Sequence, residues 1–370
     1  MKILFVTGSL VHGGAERHSI TLANSLAERG HECHAVYVKN DPSQLECLRL
    51  SAPSSVTCLH ARSYLDLRAV GDLANLFRRL RPHAVLACNP YALLNASLAR
   101  PAAPLVVTLH STRNRSAKES LQMLAYRPFF WAADCAVFVC ERQRVHWARR
   151  GLFGRSNRVI YNGVDTDHWR PVNCAPHQDF VIGMSAVLRP EKNPTQLVDA
   201  VAALRRRGIP ARALFIGDGP LRGEIEARAV REGLAGAVTI TGLQQDVRPY
   251  LGACDTLVLT SFTEAFSLAA VEAMALGVPV VHSDVGGARE MITHGEDGFV
   301  FPVGDTHSLV ESLAVLAQPE TRRRFGAKAR ATVESRFTER SMVERYEQTL
   351  MDMASTRSNR EQLRRRAAAH

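Results

Sequence analysis

The feature that most constrains the fold is an alternation of short apolar runs with longer amphipathic stretches. The first run, Lys2–Thr7, is almost wholly apolar, as expected of a parallel strand covered on both faces. Similar runs predict six more strands in the first half, at Cys33–Val38, Val56–Leu59, Ala84–Cys88, Leu105–His110, Ala136–Val139 and Arg158–Tyr161. Helical segments fill the gaps, among them Leu65–Leu80, Lys118–Trp131 and Arg142–Arg150. Repeated strand–helix units predict a doubly wound parallel sheet.

A polar stretch, Val164–Gln178, interrupts this rhythm and is interpreted as a linker between domains. The alternation then resumes, with strands predicted at Val181–Val187, Arg212–Ile216, Val238–Thr241, Thr256–Thr260, Pro279–His282 and Gly298–Phe301. Because ligands of open α/β sheets bind beyond the carboxyl ends of the strands, we expect the functional residues there. The predicted divisions are an N-terminal domain over 1–170, a C-terminal domain over 171–336, a closing helix over 337–354 and a basic, disordered tail over 355–370.

Composition narrows the class of protein. A hydrophobic content of 46% with 22% charged residues is typical of a globular chain with sizeable cores. No apolar run is long enough to predict a transmembrane helix. The 8 cysteines include no CxxC pair, which favours reduced thiols in a cytosolic protein over disulfides or a zinc site. We therefore expect a cytoplasmic protein.

The net charge of +10 is confined to the first half of the chain. Residues 1–170 hold 22 Lys and Arg against 12 Asp and Glu, whereas residues 171–370 hold 24 of each. The excess concentrates between Arg113 and Arg158, where aromatic residues are interleaved with the basic ones. Such a face suits an anionic membrane surface or a polyanionic partner, and a solvated helix face fits it equally well. Nucleic acid is not expected, because no recognised nucleic-acid module is present.

Two glutamates stand in an otherwise apolar block. Glu264 lies on the turn after the strand Thr256–Thr260, and Glu272 lies about one turn into a helix predicted from Ser267 to Gly277. The N-terminus of such a helix attracts an anion, and carboxylates accept hydrogen bonds from hydroxyls. A phosphate centre with hydroxyl-bearing ends fits this pattern, and a nucleotide-sugar is such a ligand. For either glutamate alone, a solvated surface position is the alternative.

Further candidates follow strands of both domains. Gly13 and Gly14 close a loop before the first helix, where glycine lets backbone approach a ligand. Their spacing is not GxGxxG, so the pattern gives little support for a nicotinamide cofactor, and a plain tight turn is the alternative. Arg189 and Lys192 follow the first strand of the second domain and could hold a diphosphate, or be ordinary surface cations. His110 ends a strand and could hydrogen-bond a sugar, or be structural.

The order of seven motifs carries a family resemblance. The motifs are GGAE, NGVD, RPEK, GDGP, EAFSLAAVE, GVPVV and DVGG. Together they resemble the retaining glycosyltransferases of family four, and the resemblance extends from Lys2 to about Met353. Its most specific part is the E-x7-E element from Glu264 to Glu272. The resemblance implies the GT-B fold, in which two Rossmann-like domains face each other across a cleft and the C-terminal helix crosses back to the first domain.

The resemblance also implies roles for individual residues. Glu264 matches the glutamate that contacts the donor sugar near the reaction centre, and Glu272 matches the one that holds the ribose hydroxyls. Arg189 and Lys192 match the pair that binds the donor diphosphate. His110 matches a cleft histidine near the transferred sugar.

Other matches concern backbone positions. Gly13 and Gly14 match the loop near the diphosphate and the acceptor, and Leu243 matches a position whose backbone meets the base. Three turn residues match positions whose amides meet the phosphate and the sugar, namely Phe266, Ser267 and Leu268.

The implied activity is a retaining, metal-independent transfer of a hexose-type sugar. The donor would be a UDP-sugar or a GDP-sugar, and the acceptor a hydroxyl of a glycan or a lipid-linked sugar in cell-surface polysaccharide or lipopolysaccharide assembly. No metal cofactor is expected, since Arg189 and Lys192 would carry the charge of a metal. The stretch Asp165-Thr166-Asp167 looks like a DxD metal motif, but it follows an Asn-Gly turn within the linker, and we interpret it as an Asx turn.

Three other functions remain open at this stage. A GT-B-like nucleotide-sugar 2-epimerase would share the fold and the donor but use no acceptor. A nicotinamide dehydrogenase would need a true GxGxxG motif, which is absent. A non-enzymatic basic adaptor for polyanions would use the Arg113–Arg158 face and would not need the candidate site residues.

The membrane alternative can be tested with liposomes. If the acceptor is a membrane-anchored glycolipid and the cationic face near Arg142–Arg155 docks on the inner face of the cytoplasmic membrane, flotation should increase with the content of anionic lipid. Flotation that is indifferent to anionic lipid would contradict this expectation.

Overall fold

The computed structural model describes residues 1–10, 13–41, 43–50, 55–111, 117–172 and 178–368. Outside these ranges lie Val11 and His12 of the glycine loop, residues 112–116 of the basic segment, residues 173–177 of the expected linker and the last two residues of the expected tail. The chain divides into two compact units, Met1–Tyr161 with Met342–His370, and Asn162–Ser341. Each unit is built on a parallel sheet, so the predicted fold class is confirmed.

The first unit holds a seven-stranded parallel sheet. Its strands are β1 (Lys2–Thr7), β2 (Glu32–Tyr37), β3 (Val56–Cys58), β4 (Ala84–Ala87), β5 (Leu105–Leu109), β6 (Cys135–Phe138) and β7 (Ser156–Val159). They lie in the order β3-β2-β1-β4-β5-β6-β7, so the order reverses between β1 and β4. Each predicted strand is present, with its ends within two residues of the expected ones.

Within the described residues, six α-helices connect these strands. They are α1 (Gly14–Glu28), α2 (Leu67–Leu80), α3 (Pro90–Ala99), α4 (Ala117–Ala125), α5 (Arg127–Ala132) and α6 (Glu141–Ala148). The single helix expected over Lys118–Trp131 is therefore wrong, because two helices meet at Tyr126. Pro128 has no N–H to bond back to the carbonyl of Leu124, so the helix cannot continue unbroken.

The two faces of the first sheet bury separate cores, because alternate residues of a strand point to opposite sides. Leu4 and Val6 belong to a cluster shared with α2, α3 and α5. Ile3 and Phe5 belong to a cluster shared with α1 and with buried residues of the last helix, namely Met342, Val343, Tyr346 and Leu350. That helix, α14 (Glu339–Ala368), is thus part of the first unit's core.

The second unit holds a six-stranded parallel sheet with the same kind of reversal. Its strands are β8 (Phe180–Ser185), β9 (Ala211–Ile216), β10 (Val238–Ile240), β11 (Thr256–Leu259), β12 (Val280–Ser283) and β13 (Gly298–Phe301). The order β10-β9-β8-β11-β12-β13 reverses between β8 and β11. Around it pack α7 (Thr195–Arg206), α8 (Arg222–Arg231), α9 (Arg248–Gly252), α10 (Leu268–Ala275), α11 (Ala288–Met291), α12 (Thr306–Leu316) and α13 (Pro319–Arg336).

The first unit ends earlier than the predicted boundary at residue 170. Asn162 and the residues after it belong to the second unit. The reason is local pairing, since the Val164 N–H donates to the carbonyl of Phe337 at 3.0 Å and the Glu339 N–H donates to the carbonyl of Val164 at 2.9 Å. The start of the expected linker is therefore ordered against the segment before α14.

The predicted disordered tail over 355–370 is also wrong for most of its length. Helix α14 continues to Ala368, well beyond the closing helix expected to end at 354. Residues 355–370 contain neither proline nor glycine, and their arginine, glutamate, glutamine, leucine and alanine residues favour helix. Nothing in the sequence therefore stops the helix once it has formed.

Two further expectations from composition concern membrane-spanning helices and the state of the cysteines. Across the described ranges, no helix is both long and apolar enough to cross a membrane. The described cysteines form no disulfide with one another, and most of them are buried. Cys174 lies outside the described residues.

Close packing of α13 on the end of α10 predicts a sensitive glycine. A Cβ on Gly326 would lie 2.1 Å from the carbonyl oxygen of Gly277, so alanine must push the two helices apart. We expect Gly326→Ala to lower the free energy of unfolding by about 2 kcal/mol in urea denaturation. The matched control is Gly223→Ala on the exposed face of α8, which has open space and should be neutral or stabilising by about 0.5–1 kcal/mol. Equal stabilities for the two variants would contradict the packing.

Candidate functional site

The centre of the candidate site is the carboxyl end of β8 and β11, where the strand order reverses. These two strands are neighbours, with Leu257 paired to Gly183. The loop after β8 carries Lys192 and the turn after β11 carries Glu264. The lysine Nζ lies 2.5 Å from the Glu264 Oε2, which makes a partly buried ion pair between residues predicted separately as site residues.

The loop that carries Lys192 is anchored to the strand that leads to Glu264. It forms a short 3₁₀ turn over Pro190–Lys192. The Thr260 hydroxyl, at the end of β11, lies 2.8 Å from the carbonyl oxygens of both Lys192 and Asn193 and can donate to one of them at a time. The position of the lysine is therefore set by the same strand end that positions the glutamate.

Arg189 stands at the start of the same turn and is exposed. Its guanidinium forms no ion pair with any side chain in the described ranges. A free guanidinium beside a paired lysine leaves one cation available for an anionic group. The two predicted cations thus lie on one turn, where Lys192 is paired with Glu264 and Arg189 is exposed.

The two glutamates are not solvated surface residues. Glu272 lies on α10 and is only 3% exposed. The Glu264 side chain is 16% exposed and paired with Lys192. Buried carboxylates need partners, so the alternative of two ordinary surface acids is excluded.

The turn between Glu264 and α10 has the predicted form. Ser267 is the N-cap of the helix, and its Oγ accepts a hydrogen bond from the N–H of Ala270 at 3.3 Å. Phe266 is buried and packs edge-on against Phe337, with 5.4 Å between the ring centroids. Leu268 is the first residue of the helix and is partly exposed. The fold therefore aims the N-terminus of α10 at the same edge as the ion pair.

A glycine turn after β12 packs directly on the backbone of Glu264. Gly286 has φ of +51°, and a Cβ there would lie 2.4 Å from the carbonyl oxygens of Glu264 and Ala265. The N–H of Gly287 donates to the carbonyl of Ala265 at 2.7 Å. Only glycine fits this position. The DVGG motif contributed to the family resemblance, but the sequence analysis did not predict its contact with the turn that carries Glu264.

A second pair of glycines supports the loop that leads to Arg189. A Cβ on Gly217 would lie 2.1 Å from the carbonyl oxygen of Ala186, and one on Gly219 would lie 2.6 Å from backbone atoms of Leu188. The GDGP motif thus holds the loop after β8 from the β9 side. This explains physically why glycines flank the aspartate in that motif.

His282 is a further residue near the ion pair that was not predicted. It lies on β12, is fully buried, and its Nδ1 lies 2.7 Å from the carbonyl oxygen of Ser283. Its Nε2 has no hydrogen-bond partner among the described residues. Burial lowers the pKa of His282, and the Glu264 carboxylate opposes that effect, so the imidazole is neutral at pH 7. The sequence does carry one sign of this residue, because His282 stands within the otherwise apolar run of β12.

Leu243 is placed two strands away along the same edge. It follows β10 and is 78% exposed, beside a backbone bridge between Gly217 and Gly242. A large apolar side chain this exposed at the carboxyl edge is available to a flat apolar group. Its predicted role at a base stays a prediction.

A separate group of predicted residues lies in the first unit. Gly13 is the N-cap of α1 and Gly14 its first residue, and both are exposed. His110 follows β5 and is half-buried. The rings of His110 and His18, on α1, have centroids 4.6 Å apart. The helix opened by the glycine pair therefore contacts the predicted histidine, although His18 itself was not predicted.

The stretch Asp165-Thr166-Asp167, which looks like a DxD metal motif, forms a turn. The Asp165 Oδ1 accepts hydrogen bonds from the N–H groups of Asp167 at 2.9 Å and His168 at 3.3 Å, which is an Asx turn. Within the described residues, no group of three or more His, Cys, Asp or Glu side chains is arranged to hold a metal ion.

The sequence is similar to that of known glycosyltransferases. Residues 165–332 match the family model described as glycosyl transferases group 1, and residues 12–168 match glycosyltransferase family 4. The lipopolysaccharide core biosynthesis glycosyltransferase LpsE of Rhizobium meliloti is 26% identical over 351 residues, which cover 91% of this chain and 96% of that protein. EpsD of Bacillus subtilis is 29% identical over 226 residues, and this chain spans only 58% of its length.

The fold is shared with solved structures. The crystal structure of Anabaena HepE in complex with UDP and glucose superposes with a TM-score of 0.82 and 24% sequence identity, over 95% of this chain and 99% of that one. The two family models together span residues 12–332. With the shared architecture, they support a GT-B glycosyltransferase of the family-four type.

Proposed function

We propose that the chain transfers a sugar from a UDP-sugar or GDP-sugar to a hydroxyl of a glycan or lipid-linked acceptor. The transfer would retain the anomeric configuration, need no metal, and serve cell-surface polysaccharide or lipopolysaccharide assembly. The observation that carries the proposal is the Lys192–Glu264 pair beside the N-terminus of α10. The name of LpsE and the UDP and glucose in the HepE crystals support the same substrate class.

The donor diphosphate would lie between cations and helix. Arg189, Lys192 and the N–H groups of the first turn of α10 would share its negative charge. A diphosphate at this position competes with Glu264 for the Lys192 ammonium. Binding would therefore release the Glu264 carboxylate to accept hydrogen bonds from the sugar, while buried Glu272 accepts them from the ribose.

Transfer would then proceed on one face of the sugar. The bond from the anomeric carbon to the diphosphate oxygen breaks as the bond to the acceptor oxygen forms. The acceptor proton passes to the leaving diphosphate, which accounts for both charge and proton without a further base. Glu264 would stabilise the positive charge that develops on the sugar, and the two cations would stabilise the leaving group.

The other functions are less well supported. The epimerase is not favoured, because relatives are named as glycosyltransferases of polysaccharide and lipopolysaccharide synthesis. A dehydrogenase lacks its GxGxxG motif. A basic adaptor for polyanions would not need a buried Glu272. Nor would it need the ion pair of Glu264 with Lys192 at the point where the strand order reverses.

The first unit carries a face suited to the proposed membrane contact at the cytoplasmic surface. Trp131 is 50% exposed and Phe153 is 40% exposed. The Arg127 Nε donates to the carbonyl of Arg150 at 2.7 Å, and the Trp131 indole donates to the carbonyl of Gly151 at 2.9 Å, so the basic and aromatic groups form one surface. Amphipathic aromatic rings among arginines suit the interface of an anionic bilayer.

Removal of Glu264, or of the two cations Arg189 and Lys192, should strongly reduce sugar transfer. In a panel of UDP-sugars and GDP-sugars with a purified lipid-linked acceptor pool, product is measured by mass spectrometry. Glu264→Ala, and Arg189→Ala combined with Lys192→Ala, should each reduce turnover at least about 100-fold, because both act on charge that develops in the transition state.

The control for this experiment is Glu232→Ala, which breaks an exposed ion pair with Arg206 elsewhere in the same unit and should keep full activity. The wild-type protein is assayed with and without EDTA and should transfer equally well. Full activity of Glu264→Ala would contradict the assignment. Complete loss in EDTA would restore Asp165 and Asp167 as candidate metal ligands.

Gly286→Ala should weaken nucleotide binding without unfolding the protein. The new methyl group must displace the Glu264 and Ala265 carbonyls, and with them the start of α10. We expect at least about tenfold weaker binding of UDP or GDP by isothermal titration, which corresponds to about 1.4 kcal/mol. Gly304→Ala is the control, since Gly304 also has positive φ but open space around it. Equal affinities in both variants would contradict the role of the glycine turn.

A further inference from the structure

His110 is held by a buried cluster within the first unit that the proposed function does not use. Its members come from three elements, with Thr108 on β5, His18 on α1 and Tyr346 on α14. Thr108 and Tyr346 are fully buried and His18 is 3% exposed. A cluster with this much burial around one half-buried histidine fixes both the position and the hydrogen bonding of that histidine.

The contacts form a chain of hydroxyl groups that ends on the imidazole. The Tyr346 hydroxyl lies 3.0 Å from the Thr108 Oγ1, which in turn lies 3.4 Å from the His110 Nε2. The His18 ring packs against both aromatic neighbours, with centroid distances of 4.6 Å to His110 and 5.4 Å to Tyr346. The His110 ring is thus packed on one side and hydrogen-bonded at one nitrogen.

The direction of the chain follows from counting protons. The hydroxyl of buried Tyr346 has one proton, and its hydrogen-bond partner among the described residues is Thr108. If Thr108 donated instead, the buried Tyr346 proton would have no acceptor among the described residues, so Tyr346 donates and Thr108 accepts. Thr108 then has its own single proton left to donate, and the acceptor within reach is the His110 Nε2.

This direction determines the tautomer of His110. Burial lowers the pKa of His110 to about 4, so the ring is neutral at pH 7. A neutral imidazole whose Nε2 accepts a hydrogen bond carries its proton on Nδ1. The Nδ1–H is then a donor, and the opposite tautomer would offer an acceptor instead.

We propose that Tyr346 and Thr108 are positioning residues that hold His110 as the Nδ1–H tautomer. In this form the Nδ1–H of His110 is available to donate a hydrogen bond to an oxygen of a ligand at the carboxyl end of β5. His18 keeps the ring from rotating by packing against it. The identity of the ligand rests on the proposed function, whereas the tautomer rests only on contacts within the first unit.

The tautomer can be measured directly by nitrogen NMR on protein labelled with ¹⁵N-histidine. The two ring nitrogens of a neutral histidine have well-separated shifts that show which one is protonated. The chain has 14 histidines, so the His110 signals are assigned by their loss in His110→Gln. We expect wild-type His110 to be protonated on Nδ1.

Four variants separate a positioning role from a merely structural one. Tyr346→Phe and Thr108→Val interrupt the chain and should move the His110 population towards Nε2–H. Thr108→Ser keeps the hydroxyl and should keep the wild-type tautomer.

Tyr37→Phe is the matched control, because it removes a hydroxyl from a buried tyrosine of the same unit that is not part of the cluster. Circular dichroism and melting curves verify folding, and if Tyr346→Phe unfolds, Thr108→Val decides.

Activity gives a second and independent readout. With a working donor and acceptor, Tyr346→Phe and Thr108→Val should each reduce kcat/KM about tenfold, as for loss of one oriented hydrogen bond, and Thr108→Ser should stay near wild type. Wild-type His110 protonated on Nε2, or an unchanged tautomer in both interrupting variants, would overturn the proposal. If the tautomers behave as expected but no sugar is transferred by the wild-type protein, the proposed function fails and the hydroxyl chain stands.

Discussion

The candidate site depends on one constraint, the reversal of strand order between β8 and β11. At that point adjacent parallel strands send their chains to opposite faces of the sheet, which leaves their carboxyl ends uncovered. Lys192 and Glu264, 72 residues apart in sequence, meet there as an ion pair. Two partly buried charges satisfy each other, and removal of either would leave the other uncompensated. The pair therefore fixes the Lys192 and Glu264 side chains relative to each other at this edge of the sheet.

Glycines make the close approach of loops possible at this edge. Gly286 lets the turn after β12 rest on the backbone of Glu264, and Gly217 lets the turn after β9 rest on the backbone that precedes Arg189. In both positions the nearest atoms to an added Cβ are backbone oxygens, which cannot move aside as a flexible side chain could. Backbone packing thus positions the loops that carry the charged residues.

Much of the fold was predictable because its signals are local. Strands covered on both faces are apolar along their length, so central strands such as β1, β4 and β6 are visible as apolar runs. The edge strand β7, with the sequence SNRV, has no such run. The helix cap at Ser267 is equally local. The end of the first unit was not predictable in this way, because it depends on the pairing of Val164 with the segment at Phe337. The length of α14 does have a local cause, the helix propensity of residues 355–368, but their basic composition was interpreted as disorder.

The candidate site was predictable as a set of residue types but not as a set of contacts. Motif order identified Glu264 and Lys192, but the sequence could not show that they neutralise each other. It could not distinguish a buried Glu272 from an exposed one, because burial depends on which helix packs over α10. His18 and Tyr346 were missed since neither forms a local pattern with His110, and only the fold of the first unit brings them together.

The most direct test of the central claim is a crystal structure of the protein with UDP or GDP bound. We expect the diphosphate to contact Lys192, Arg189 and the N-terminus of α10, the ribose hydroxyls to contact Glu272, and the Lys192–Glu264 pair to be opened by the phosphate. A nucleotide bound elsewhere, with that pair intact, would contradict the assignment of this edge as the donor site.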